Sequence, residues 1–146
     1  MTNYVPTPTI LDLLGGTGAP GHTNNQWLTD TMTLYGVDAA SHTPNRETVA
    51  DLADIAGGAR VYSGTLLGKT CVSNGSGRVT AAAADLVVAA VSGSQFEYVY
   101  IVGDGTGDSD SPVMAFYDTA TGLPATPTGA AITHVFSQNG IFYLGA

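Results

Sequence analysis

The chain has 146 residues, 44% of them hydrophobic and 11% charged, with a net charge of −8 at neutral pH. That apolar content supports one buried core, and the low charge argues against both a charge-laced helical bundle and a disordered acidic tail. The four cations, Arg46, Arg60, Lys69 and Arg78, are scattered, whereas phosphate binding needs clustered cations, so the chain is expected to bind neither nucleic acid nor anionic membrane.

Residues 1–26 read as an arm. Pro6, Pro8, Gly15, Gly16, Gly18, Pro20 and Gly21 punctuate it. Only residues 10–14 suit a turn of helix, with Thr9 as a possible cap. Ile10, Leu11, Leu13 and Leu14 need an apolar surface to lie on: the domain itself, a neighbouring copy or another protein. Together with Trp27 they are the candidate contacts to a partner or a sister subunit. The start has neither the basic residues nor the apolar stretch of a secretory signal, and no run approaches the ~18 apolar residues of a membrane span. The expectation is a soluble protein made in a cytoplasm.

A single domain is expected over residues 27–146. Its first strand is predicted at 31–37. Thr43 and Pro44 suit the cap and first position of a helix. Val49, Leu52, Ala53 and Ala56 recur at helical spacing, and Gly57 and Gly58 stop the pattern. This predicts a short amphipathic helix lying on a sheet. Strands follow at 59–63, 69–73 and 78–82, the last two separated by Asn74-Gly75 turn chemistry. Residues 85–91 read as an alanine-rich strand, with a helix over 80–90 as the alternative. Four further runs, 98–102, 112–119, 132–136 and 140–144, combine aromatic and β-branched residues between turn signals. Eight or nine short strands with one helix and an extended N-terminal arm predict a mainly β fold, an antiparallel β-sandwich or jelly-roll-like domain.

Candidate chemistry is sparse. Asp104, Thr106, Asp108 and Asp110 alternate along a glycine-rich loop, the spacing with which oxygen ligands wrap calcium. The twelfth position counted from Asp104 is Ala115, where an EF-hand requires a glutamate. A solvated acidic hairpin loop is the expected reading, with no bound metal or cofactor. Cys71 is the lone cysteine and reads as a small buried hydrophobe. His22, His42 and His134 are far apart; His134 shares a strand face with Ile132 and Phe136 and is expected to be half-buried and structural. No glycine-flanked serine elbow appears, and Glu47 and Glu97 are the only glutamates. No enzymatic activity is expected. Tyr98 and Tyr100 fall on one strand face, Val99 and Ile101 on the other, so each face needs a cover, supplied by the domain itself or by a subunit interface.

Several of these pieces occur in a specific order. Met32, Thr33, Leu34 and Tyr35 form a strand, followed by the Thr43-Pro44 segment and Val49-Ala-Asp-Leu52. The strand led by Gly57, the hairpin in which Lys69 leads Thr70-Cys-Val72, and Ala84-Asp-Leu-Val87 come next. Tyr98-Val-Tyr-Ile-Val102, a Gly/Asp/Thr loop, Ser111-Pro-Val-Met114, Ala115-Phe-Tyr-Asp118 and the terminal run from Phe136 to Leu144 complete the series. In this order the chain, from about residue 31 to 146, resembles small structural proteins of tailed-phage virions, among them capsid decoration (cement) proteins. Where that family commonly carries a lysine in the loop after the central strand, this chain has Asp104.

The resemblance implies a non-enzymatic protein on the head surface that binds the major capsid protein and sister subunits. A homotrimer is expected first and a dimer second. Tail or head–tail connector subunits share related folds and form the alternative, with a carbohydrate-binding virion module as a third.

Overall fold

A computed structural model describes residues 27–73, 79–137 and 140–144. Among these the fold is mainly β, with nine strands in three antiparallel sheets. The strands are β1 (Met32–Val37), β2 (Arg60–Thr65), β3 (Thr70–Ser73), β4 (Val79–Ala82) and β5 (Leu86–Val88), followed by β6 (Tyr98–Gly103), β7 (Val113–Tyr117), β8 (Ile132–His134) and β9 (Phe142–Leu144). The largest sheet runs in the order β2-β1-β6-β7. The smaller sheets are β3-β4-β9 and the pair β5-β8. No helix among the described residues is long and apolar enough to cross a membrane.

The four-stranded sheet is covered on both faces, which explains the unbroken apolar runs of β6 and β7. Register puts Leu34 opposite Ile101, and Ile101 opposite Ala115, on the inner face. That face packs with Ala81, Leu86, Ile132 and Phe142 of the two smaller sheets, giving a sandwich-like core. On the outer face Tyr35 stands opposite Tyr100, and Tyr100 opposite Phe116. There the cover is Val49, Leu52, Ile55 and Ala59. The domain thus buries both faces of Tyr98–Gly103 itself.

The covering stretch corrects one expectation. Residues 44–56 form no α-helix; they hold a turn at 46–48 and a 3₁₀ turn at Leu52–Asp54, with a second at Gly57–Ala59. Val49 and Leu52 are buried as the pattern demands, but Ala53 and Ala56 are exposed, and Ile55 and Ala59 take their places. The reason lies in competing hydrogen bonds. The Asn45 side chain accepts from the Glu47 amide, and the Asp54 carboxylate accepts from the Ala50 and Asp51 amides. The Leu52 amide donates to Ser111, and the Val113 amide donates to Ala50. Local Asx chemistry and bonding to the segment entering β7 outcompete the helical ladder.

Close approach of the layers depends on two glycines. A Cβ at Gly36 would sit 2.0 Å from the Tyr62 ring, and one at Gly64 would sit 2.8 Å from Val88. Their missing side chains let Tyr62 lie across β1 and let β5 pack on β2. The alanine-rich run resolves as a strand: β5 ends at a turn in which Ala90 adopts φ 53°.

Candidate functional site

Each face of the large sheet carries one tyrosine–histidine pair. On the outer face the Tyr100 hydroxyl lies 2.9 Å from His42 Nε2, and the rings meet edge to face. On the inner face the Tyr62 hydroxyl lies 2.5 Å from His134 Nε2, with the rings stacked. Burial pushes both histidines below the ordinary imidazole value; for His42 the Asp54 carboxylate opposes that shift in part. Burial also raises the Tyr62 phenol well above its usual range. These rings are neutral structural pairs joining separate layers. His134 is half-buried on the face shared with Ile132 and Phe136, as the period-two pattern indicates.

Beside the second pair lies a cavity of about 410 Å³. Core side chains Leu34, Val99 and Ile141 form its floor. Tyr117 and Phe136 stand in the wall, with Thr133, His134 and the exposed Val135 at the β8 side. Two of its polar groups are bonded within the domain. The Tyr117 hydroxyl donates to the Ile141 carbonyl, and His134 Nε2 meets Tyr62. Among the described residues, no Asp, Glu, Lys or Arg lines the cavity. Such a surface supports contact by shape and desolvation.

The acidic loop joins β6 to β7 and is exposed. A 3₁₀ turn spans Asp108–Asp110. Its carboxylates point to different partners. Asp108 forms an ion pair with Arg60 at 2.7 Å, while Asp110 accepts from the Thr106 hydroxyl. Among the described residues no three His, Cys, Asp or Glu side chains gather where they could share a metal ion. Arg60 is the organising residue of this edge. Its Nε and Nη2 donate to the Ile55 carbonyl, and Nη2 also donates to Leu52. One guanidinium thus ties the covering stretch, β2 and the acidic loop together.

Of the residues expected to contact partners, Ile10, Leu11, Leu13 and Leu14 lie outside the described residues. Trp27 is turned into the domain. It is 9% exposed, packs edge to face on Phe142, and donates its indole N–H to the Thr70 carbonyl. Cys71, read as buried from its strand setting, is exposed because β3 is the edge of its sheet.

Large apolar side chains face outward at several places: Val79 on β4, Val87 on β5 and Val135 after β8, and Leu28, Leu67 and Val72 in the segments beside Trp27 and Thr70. Leu28 is 54%, Leu67 70% and Val72 61% exposed. The Trp27–Thr70 bond and a bond from Lys69 Nζ to the Asp30 carbonyl hold their segments side by side. Sequence reasoning missed this group, since no periodic pattern marks Leu28 or Leu67. It also missed both tyrosine–histidine pairs, whose members are 58 and 72 residues apart.

No protein-family model matches the chain, and no curated protein is significantly similar to it.

Proposed function

We propose that this chain is a non-enzymatic decoration protein of a tailed-phage head. It binds the outer surface of the assembled shell and stabilises it. The observation that carries the reading is the exposure of Leu28, Leu67 and Val72, large aliphatics in the segments that the Trp27–Thr70 and Lys69–Asp30 bonds bring together beside the edge strand β3. Exposed large aliphatics grouped on an otherwise acidic, sparsely basic protein favour a protein interface over a nucleic-acid one. The order of strand motifs described above supports the same class.

Subunits of this kind act by mass action: whatever binds only the assembled shell lowers its free energy relative to the dissociated parts. The major capsid protein is the partner, and sister copies associate, as trimers in the first instance. The arm with Ile10, Leu11, Leu13 and Leu14 contributes to that contact.

The test is co-sedimentation with purified heads and with purified tails, using the wild type and a Leu67→Glu, Val72→Glu double variant. The wild type should pellet with heads, and the variant should stay in the supernatant while melting normally. Pelleting with tails instead would move the protein to the tail. Undiminished head binding by the variant would remove β3 from the interface.

A further inference from the structure

We propose that the inner-face cavity is a binding site for an uncharged sugar ring. This site goes beyond shell binding: none of Leu28, Leu67 and Val72 lines it.

Charge decides the first property of the ligand. Among the described residues no charged side chain lines the cavity, so an ion entering it would lose water without gaining a counterion. The net charge of −8 also repels phosphates, nucleotides and acidic sugars at a distance. The ligand is uncharged.

The lining then asks for a molecule with two kinds of surface. Buried Leu34, Val99 and Ile141 give an apolar floor, and Tyr117 and Phe136 add aromatic carbon to the wall. Tyr117 is fixed there by its hydroxyl, which donates to the Ile141 carbonyl. Thr121 and Thr133 bring hydroxyls that have no hydrogen-bond partner among the described residues. Both threonines are exposed, so water serves these groups until a ligand displaces it. A purely aliphatic ligand would cover them and leave two hydroxyls unpaired, which weakens binding. A sugar ring carries both surfaces. Its C–H faces pack on the floor and the aromatic wall, and its edge hydroxyls donate and accept as a threonine hydroxyl does.

Two ordered elements hold the threonines. Thr121 sits in a turn closed by the Leu123 amide, which donates to the Ala120 carbonyl at 3.1 Å, and Gly122 completes the reversal at φ 95°. Thr133 lies in β8, directly opposite Val87 of β5. One hydroxyl therefore follows β7 of the large sheet and the other belongs to the two-stranded sheet, so a ligand bonded to both is held by two sheets at once. The volume of about 410 Å³ falls within the roughly 300–1,000 Å³ of pockets that enclose small ligands.

The test uses the full-length, isotope-labelled protein without capsids. It is titrated with glucose, galactose, mannose, N-acetylglucosamine, lactose and maltose, with sialic acid and hexanol as acidic and aliphatic comparisons, and amide shifts are followed by NMR. At least one neutral sugar should saturate, with shifts gathered at residues 117–121 and 133–137 and at Ile141. Absence of saturation by every neutral sugar would overturn the proposal. So would shifts centred elsewhere, or tighter binding of sialic acid or hexanol.

Thr121→Val and Thr133→Val each replace a hydroxyl with a methyl of similar shape. Each should weaken the sugar about five- to tenfold in a protein that melts normally. Undiminished affinity in either variant would overturn the two-point contact. Should a valine variant unfold, the shifts in the wild type still decide, since they need no substitution. Sugar binding is read without heads and head binding without sugar, so the two readings fail separately.

Discussion

Tyr62 and His134 join two sheets through one short contact, 2.5 Å from hydroxyl to Nε2. The pair spans β2 of the large sheet and β8 of the two-stranded one. His42 and Tyr100 do the equivalent on the other face, between the covering stretch and β6.

Both histidines should make the fold acid-sensitive. Burial lowers their folded values, so the neutral ring is favoured in the native state. Their stabilising contribution is present above the unfolded value of about 6.5 and is lost as pH falls from there through the lowered folded values. Asp54 faces His42 and moderates its share. Thermal melts between pH 8 and 5 should show a decline beginning below about pH 6.5. The His134→Gln and His42→Gln variants should each flatten that decline.

Arg60 should be the most sensitive charged residue. Arg60→Ala is expected to cost about 2 kcal/mol, because its donors serve the Leu52 and Ile55 carbonyls. Arg60→Lys should recover less than half of this, since one ammonium cannot reproduce the fork. Asp108→Asn should cost less than about 1 kcal/mol, because its side chain is 54% exposed. Urea unfolding of the three variants gives the comparison.

The acidic loop should tolerate neutralisation. Replacing Asp104, Asp108 and Asp110 together with Asn should barely move the melting temperature, with calcium or with EDTA. A large calcium-dependent rise in the wild type would restore the loop as a metal site.

Glycine substitutions should separate close approach from open space. Gly36→Ala drives a methyl into the Tyr62 ring and should cost about 2–3 kcal/mol while breaking the His134 contact. Gly57→Ala meets nothing within 4 Å and should be close to neutral. Denaturant midpoints decide between them.

Deleting residues 1–26 should leave a folded domain, since residues from Trp27 onward supply packing on both faces of the β2-β1-β6-β7 sheet. Binding to heads or to sister copies should weaken. Light scattering and head pull-down on the truncated protein measure both, and unchanged values would free the arm of that role.

The strands were legible because their signals are local. Each of the nine predicted segments overlaps an observed strand, although Arg60–Thr65 and Tyr98–Gly103 run past the predicted ends. The covering stretch was misread as a helix for an equally local reason: Val49 and Leu52 do have helical spacing. The force that overrides it comes from Ser111 and Pro112, about 60 residues away, which pair with Leu52 and Asp51. The tyrosine–histidine pairs and the Arg60 cluster were hidden in the same way. Their residue types are visible in the sequence, but the partners meet only through tertiary contact.

The position of β1 has a mechanical consequence. It follows Trp27 by a few residues and is hydrogen-bonded on both sides, to β2 and to β6, antiparallel in each case. Tension applied along β1 from its N-terminal end therefore loads two ladders rather than one. The indole N–H of Trp27, bonded to the Thr70 carbonyl, diverts part of that load into a separate sheet before it reaches Met32. A chain pulled from this end is gripped at a strand braced on both sides.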